Sequence, residues 1–299
     1  MSYDIWFCQR SDEKVDRSKL RWSLAALPNS TESQSDDGEL MQFEYENPET
    51  GVYCLFDFYD PASAEGIELP AGFAPVGLSV SINFLRPRFF AAELMPLIAE
   101  VAKVHKILVV DPQQDNPFPE APDAAHLVER WISSNERVTR GMAQQEDQPI
   151  IKPYLPPEES MGWWAYTKVK TRLQDGLGEE IFVPSIRFAV DSKRRVRRVV
   201  QWSMNGYALP QVFPPCDCLH LAWDFDPEQQ RKPKLRIIRI EAADRLQSLL
   251  EPIDGVVPDL RVLRPANQGA ATQIFEELKS AHAETLDFIG SDDFVDVAV

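Results

Sequence analysis

The sequence predicts an α+β fold of two domains, each a mainly antiparallel sheet with helices packed on one face. At 299 residues the chain is longer than one core usually supports, since a domain averages about 150 residues. Short segments of alternating apolar and polar residues recur in both halves, which is typical of strands with one buried face. The elements of the N-terminal half follow the order β, short helix, β, β, β, α, β. This order favours an antiparallel sheet with helices on one side.

The N-terminal half is organised around residues 77–112, GLSVSINFLRPRFFAAELMPLIAEVAKVHKILVVDP. This segment combines an alternating strand, a helix with an apolar stripe and a fully apolar strand. Pro96 interrupts the helical pattern and predicts a kink or a division of the helix. The preceding elements are a strand at 2–9, a short helix at 15–27, a polar acidic loop at 29–39 and a hairpin at 41–59 with its turn at 47–51.

A proline-rich segment at 111–124 is followed by a charge-rich helix at 124–145, which we expect to bridge the two halves. A second proline-rich stretch at 148–157 marks the boundary, so the predicted domains are 1–147 and 148–299. The C-terminal half again reads as α+β. Its predicted helices are 158–173, 241–250 and 270–283, and its predicted strands are 181–190, 196–204, 216–224, 235–240 and 260–263.

Net charge is uneven along the chain. The sequence holds 47 acidic and 31 basic residues, a formal net charge of −16. Residues 1–150 contain 25 acidic and 12 basic residues, a net charge of −13, whereas residues 151–299 contain 22 and 19, a net charge of −3. Such a surface repels phosphate backbones and anionic lipids and speeds encounter with a basic protein by about 10-fold or more. A basic protein partner is therefore expected, and nucleic acid and membranes are not; solubility alone is the other explanation of the charge.

Nothing in the sequence predicts export or membrane insertion. The first residues, MSYDIWFCQRSDEK, contain no basic leader, and no segment approaches the roughly 18 apolar residues of a membrane span. We therefore expect the chain in the cytoplasm. Its four cysteines are too few for a disulfide scaffold and would remain reduced there.

Cys216, Cys218 and His220 alternate and would share one face of a strand. Three ligands of this kind suggest zinc. A zinc site normally has four ligands at different spacings, and the sequence offers no second cluster. Buried thiols on a strand face are therefore the favoured interpretation, and no metal is expected.

Other candidate sites also have ordinary structural explanations. Residues 224–226 match the Asp-x-Asp of metal-dependent glycosyltransferases, but acidic residues before a proline commonly form turns. Asp57 and Asp60 are a candidate acid and base pair that a strand face and an Asp-Pro turn equally explain. The basic residues in 193–198 suggest either a nucleic-acid-binding patch or a charged β-turn. The aromatic residues in 163–166 suggest either a ligand-binding site or part of the hydrophobic core.

The motifs of nucleotide-dependent enzymes and of serine hydrolases are missing from the sequence. The four histidines are scattered, and none accompanies a nucleophile elbow. The sequence therefore predicts no catalytic residue and no cofactor.

Three segments carry a family resemblance: MSYDIWF, GVYCLFDF, and SINFLRPRFFAAELMPLIAEVAK with the following ILVVDPQ. Over roughly the first 115 residues the chain resembles uncharacterised bacterial proteins that are similar to immunity proteins of polymorphic-toxin and type VI secretion systems. The resemblance implies a cytoplasmic antidote that binds one toxin domain, delivered by a neighbouring cell, and occludes its active site. It assigns a role to no individual residue.

Together these observations predict a non-catalytic cytoplasmic binding protein, an immunity protein whose basic partner is a toxin domain. Acidic residues of the N-terminal half would steer the partner, and aromatic residues would anchor it. The predicted partner-binding residues are Asp36, Asp37, Glu44, Tyr45, Glu46, Glu49, Tyr53, Asp57 and Tyr59. There are two alternatives. The chain could be an enzyme of unknown reaction type, which would have a deep pocket lined by groups with perturbed pKa values. It could also be a component of a larger bacterial assembly.

Overall fold

The computed structural model describes residues 1–34, 40–63, 68–115, 117–225, 232–255 and 257–299. The chain divides into two compact units. The first comprises Met1–Lys152 and Val295–Val299, and the second comprises Pro153–Phe294. The sequence-based boundary at 147/148 differs from this division, which falls at 152/153 and also assigns the C-terminal residues to the first unit.

Both units contain helices and mainly antiparallel sheets, which confirms the predicted α+β class. The first unit has a six-stranded sheet of order β2-β3-β4-β5-β1-β6 in which all neighbours are antiparallel. Its elements are β1 (Ser2–Arg10), α1 (Arg17–Ala25), β2 (Ser30–Gln34), β3 (Met41–Asn47), β4 (Val52–Phe58), β5 (Phe73–Asn83), α2 (Phe89–His105), β6 (Leu108–Val110) and α3 (Ala124–Ala143).

The predicted strand–helix–strand segment is present as β5, α2 and β6. Its two strands are not neighbours, because β1 lies between them and pairs with both. Alternate residues of β1, β3, β4 and β5 are buried, and they form a core with the apolar stripe of α2. This core includes Ile5, Phe43, Phe56, Val80, Phe90 and Leu94, all fully buried.

Three features of this unit differ from expectation. Residues 30–34 of the predicted loop form β2, which pairs with β3 through its main chain. The helix is not divided, because α2 continues through Pro96, and the alternative of a kink stays a prediction. The charge-rich helix does not bridge the halves, since α3 packs against α2 within the first unit.

The second unit has one sheet of order β12-β11-β8-β7-β15, with β9 also paired to β8, and a small antiparallel sheet of order β10-β14-β13. Only the β8–β11 pair is parallel among these described pairs. The elements are α4 (Pro157–Leu177), β7 (Ile186–Val190), β8 (Val196–Asn205), β9 (Tyr207–Ala208), β10 (Val212–Phe213), β11 (Cys218–Trp223), β12 (Lys234–Arg239), α5 (Asp244–Gln247), β13 (Leu250–Pro252), β14 (Arg261–Leu263), α6 (Gln268–Leu278) and β15 (Asp287–Ile289).

Aromatic residues form the core of the second unit. The ring of Trp202 packs against Phe213 and Phe275, with centroids 5.5 and 4.8 Å away. The predicted helix at 241–250 is shorter than expected and consists of a 3₁₀ turn followed by α5. Across the described ranges of the chain, no helix has the length and apolar composition needed to cross a membrane.

Candidate partner-binding surface

The sheet of the first unit has one buried face and one face that stays partly exposed. In β1, Tyr3, Ile5 and Phe7 are buried, whereas Asp4 and Trp6 are partly exposed. The same alternation continues along β3, β4 and β5. Successive side chains of a strand point to opposite faces, so the exposed positions share the face away from the core. We call these residues the acidic sheet face: Asp4, Trp6, Gln42, Glu44, Glu46, Leu55, Asp57, Ser79 and Ser81.

Strand pairing brings the members of the acidic sheet face into two transverse rows. The first row is Glu44, Leu55, Ser81 and Asp4, and the second is Gln42, Asp57, Ser79 and Trp6. Neighbouring strands lie about 4.8 Å apart, so each row spans about 15 Å. Three carboxylates and two large apolar side chains therefore lie within the area of a small protein contact.

Hydrogen bonds orient two of these carboxylates. The Ser81 hydroxyl donates to Asp4 Oδ1 over 2.6 Å, and Gln42 Nε2 donates to Asp57 Oδ1 over 2.9 Å. A carboxylate offers about four acceptor positions, so each group can accept further bonds from a lysine or arginine. The face can thus accept hydrogen bonds from a cation at defined positions.

The acidic residues predicted for binding lie on or beside this face where the structure describes them. Glu44 and Glu46 are exposed on β3, and Asp57 is partly exposed on β4. Glu49 is exposed in the turn between these strands. Asp36 and Asp37 fall outside the described residues.

Tyr59 is partly exposed just after β4. Burial raises the pKa of its hydroxyl, and the charge of Asp57 raises it further, whereas a hydrogen bond with Ser79 lowers it. These contacts place the Tyr59 hydroxyl beside the second row of the acidic sheet face. It remains a candidate aromatic anchor.

Tyr45 is not an anchor, and its prediction was wrong. The residue is only 6% exposed, and its hydroxyl donates to Glu93 Oε1 of α2 over 3.0 Å. Tyr45 alternates in phase with buried Phe43, so its side chain faces the helices and not solvent. A partner cannot reach it without opening the core.

Tyr53 is partly exposed, and its hydroxyl is already engaged. Asn83 Nδ2 and an Arg86 guanidinium nitrogen donate to it over 2.9 and 2.6 Å. The ring also packs edge-on against Phe90, with centroids 5.8 Å apart. The Tyr53 ring is therefore held in place and its hydroxyl is satisfied within the protein, and its part in binding stays a prediction.

Sequence reasoning missed six members of this surface: Asp4, Trp6, Gln42, Leu55, Ser79 and Ser81. The strand phase contained the signal, because Asp4 and Trp6 alternate with three apolar residues in β1. The proximity of Asp4 and Trp6 to Asp57 depends on the order of the strands in the sheet. The periodicity of a single strand does not predict that order. Trp6, on the fifth strand of this sheet, is thereby a further candidate aromatic anchor.

The residues considered for zinc do not form a metal site in the described parts of the chain, where no group of three or more His, Cys, Asp or Glu is suitably arranged. Cys218 and His220 are buried in β11, whereas Cys216 precedes it. Burial raises the pKa of Cys218 and lowers that of His220. The ring nitrogen Nδ1 of His220 lies 2.6 Å from the Arg187 guanidinium. The absence of a bound metal stays a prediction.

Of the Asp-x-Asp pattern, Asp224 pairs with Lys234 over 2.7 Å, and Asp226 lies outside the described residues. In the basic segment, Arg197 pairs with Asp191 over 2.8 Å. Arg198 pairs with Glu159 over 3.0 Å and with a further carboxylate. These ion pairs engage two of the five basic residues of the segment and support its interpretation as a turn.

The chain matches no protein-family model, no curated protein and no solved structure. The resemblance to immunity proteins accordingly remains a prediction from the sequence.

Proposed function

We propose that this protein is a non-catalytic cytoplasmic binding protein that recognises a basic protein partner through the acidic sheet face. One observation carries the proposal. Helices cover one face of the first sheet, and the opposite face combines carboxylates in fixed positions with the partly exposed side chains of Trp6 and Leu55. Protein interfaces characteristically combine an aromatic or apolar centre with a polar rim.

The partner that we propose is a toxin domain, and the protein acts as its immunity protein by covering the toxin's active site. The N-terminal resemblance supports this choice, and so does the net charge of −13 in residues 1–150. Acidic residues would increase the association rate with a basic domain, whereas Trp6 and Leu55 would slow its dissociation.

The test is capture of a partner from the native organism with the tagged chain, at low and high salt. A Glu44→Arg/Glu46→Arg variant reverses two charges on the acidic sheet face. The matched control, Glu100→Arg/Glu129→Arg, makes the same change at exposed positions of α2 and α3. We expect the control to retain the partner and the face variant to lose it. Equal capture by both variants would contradict binding through this face.

A second readout tests the toxin assignment. The captured partner, expressed alone, should arrest growth of a host cell, and co-expression of the unmodified chain should restore it. A partner that binds through the acidic sheet face but has no effect on growth would leave the binding function intact and contradict the immunity role.

A further inference from the structure

The second unit contains a cavity of about 300 Å³ beside the first turns of α4. Its lining includes the aromatic residues Trp163 and Tyr166, the carboxylates of Glu158, Glu159 and Asp259, and the guanidinium of Arg198. A volume of this size lies at the lower end of the range for small-molecule sites. It is large enough for a ligand of amino-acid size.

The aromatic part of the lining offers mainly carbon surface to a ligand. Trp163 Nε1 donates to the carbonyl oxygen of Ile186 over 3.3 Å, and the Tyr166 hydroxyl donates to that of Pro184 over 2.6 Å. Both polar groups are therefore satisfied by the backbone and hold their rings in place. Both side chains are nearly buried, at 5% and 1% exposed, so a ligand meets only the parts of these fixed rings that border the cavity.

The charged part of the lining selects for a cation. Three acidic residues, Glu158, Glu159 and Asp259, and one basic residue, Arg198, line the cavity. The guanidinium of Arg198 is already paired, since it lies 3.0 Å from Glu159 and 3.2 Å from Asp217. An anionic ligand would meet uncompensated negative charge, whereas a cationic ligand would improve the charge balance of the site.

We infer that this cavity binds a small organic cation, a guanidinium or primary ammonium group on a short apolar stem. The stem would pack against the apolar lining, to which Ile186, Pro215, Val257 and Pro258 contribute beside the two aromatic residues. The cation would lie among Glu158, Glu159 and Asp259. Both a free amine and an arginine or lysine side chain of a polypeptide carry this chemistry. The inference concerns the second unit alone and does not depend on the acidic sheet face.

Glu159 adds a proton linkage to the site. Burial raises the pKa of its carboxyl, and Asp217 and Glu158 raise it further, while Arg198 and Arg197 lower it. Asp259 also lines the cavity. A bound cation favours the ionised carboxylate, so binding releases protons from the fraction of Glu159 that is protonated. Affinity should therefore fall as the pH falls through this raised pKa.

The test is isothermal titration calorimetry of the full chain with agmatine, benzylamine and N-acetylarginine amide. Benzyl alcohol and benzoate are the neutral and anionic counterparts of benzylamine. We expect the cationic probes to bind at least about 10-fold more tightly than both counterparts. A higher affinity for agmatine than for N-acetylarginine amide would identify a free amine as the ligand. A higher affinity for N-acetylarginine amide would identify an arginine or lysine side chain of a polypeptide.

Glu158→Gln/Asp259→Asn should weaken binding of the cationic probes about 5-fold or more. Glu159→Gln should weaken it and also reduce its pH dependence. The matched control Glu179→Gln, at an exposed position outside the cavity, should bind like the unmodified chain. Circular dichroism establishes that each variant is folded. Equal affinity for benzoate and benzylamine, or no heat from any cation at millimolar concentration, would overturn the inference.

Discussion

Asp296 shows how a single residue near the end of the chain contributes to the first unit. Its side chain is only 1% exposed, and its carboxylate accepts hydrogen bonds from the backbone N–H and the Nε of Arg88 over 2.9 and 3.2 Å. Arg88 is the residue before α2. The carboxylate therefore caps this helix at its N-terminus, where the helix dipole favours negative charge. A distant residue thus performs the role that a local capping side chain usually has.

Asp296→Ala should lower the free energy of unfolding by about 2 kcal/mol, because the N–H and guanidinium of Arg88 lose a buried acceptor. Urea unfolding followed by circular dichroism measures the change. Asp12→Ala, at an exposed position after β1, is the control and should change stability by less than about 0.5 kcal/mol. Similar unfolding midpoints for both variants would show that the cap has little energetic role.

The purified protein should contain no stoichiometric metal. The Arg187 guanidinium contacts His220, and burial disfavours the thiolate form of Cys218 that zinc would require. Elemental analysis of the protein after dialysis checks this expectation. One zinc per chain, lost in a Cys218→Ser variant, would contradict it.

At the scale of single elements, α2 contains an unfavourable residue that the fold tolerates. Pro96 lies inside the continuous helix and is exposed, while its neighbours Leu94, Met95 and Ile98 are buried. Proline lacks the N–H that would bond to the carbonyl of Ala92, and its ring crowds that carbonyl. Burial of the apolar stripe therefore holds the helix together through the proline.

Pro96→Ala should stabilise the protein by about 2 kcal/mol, because alanine restores a helical hydrogen bond and removes the crowding by the proline ring. The greater conformational freedom of the unfolded chain without proline offsets only part of this gain. Thermal unfolding measures the shift. The control Glu100→Ala, at an exposed position of the same helix, should leave the midpoint nearly unchanged. A lower midpoint for Pro96→Ala would mean that the proline fits a local distortion that the helix needs.

The turn between β7 and β8 should make the second unit sensitive to acid. Burial raises the pKa of Asp191, but hydrogen bonds from the N–H groups of Arg195 and Lys193 and from the Arg197 guanidinium outweigh it, so the pKa lies below its ordinary value. A lowered pKa stabilises the folded state above about pH 5, and this stabilisation is lost as the pH falls through the lowered value.

Asp191→Asn should therefore reduce stability by about 1 kcal/mol at pH 7, with a difference that shrinks as the pH falls. Urea unfolding at a series of pH values from 7 down to 3 measures it, with Asp175→Asn on the exposed surface of α4 as the control. A difference that stays constant with pH would show that the charge of Asp191 has no part in its stabilising effect.

Local pattern predicted those elements whose formation depends on their own side chains. The hairpin of β3 and β4 was predicted because alternating apolar residues flank the turn at Asn47 to Gly51. β2 was missed because its residues, STESQ, are polar, and it forms through main-chain pairing with β3. Tyr45 was misassigned because the prediction considered only its aromatic side chain. Its position two residues after buried Phe43 in the same strand places it on the buried face.

At the scale of the whole molecule, the acidic sheet face depends on contacts between distant parts of the sequence. Asp4 in β1 meets Ser81 in β5, which in turn pairs with Leu55 in β4. Strand order creates this neighbourhood, and no pattern within a single strand predicts it. The net charge of residues 1–150 was readable from composition, but the side of the sheet that presents it was not.

The most direct measurement of the central proposal is the association rate with the captured partner at several salt concentrations. Charge reversal at Glu44 and Glu46 should slow association about 10-fold or more at low salt and weaken its salt dependence, with a smaller change in dissociation. The Glu100→Arg/Glu129→Arg control should associate nearly as fast as the unmodified chain. The proposal would be contradicted by an association rate that changes neither with salt concentration nor in the Glu44→Arg/Glu46→Arg variant. It would also be contradicted by a partner that binds the second unit alone.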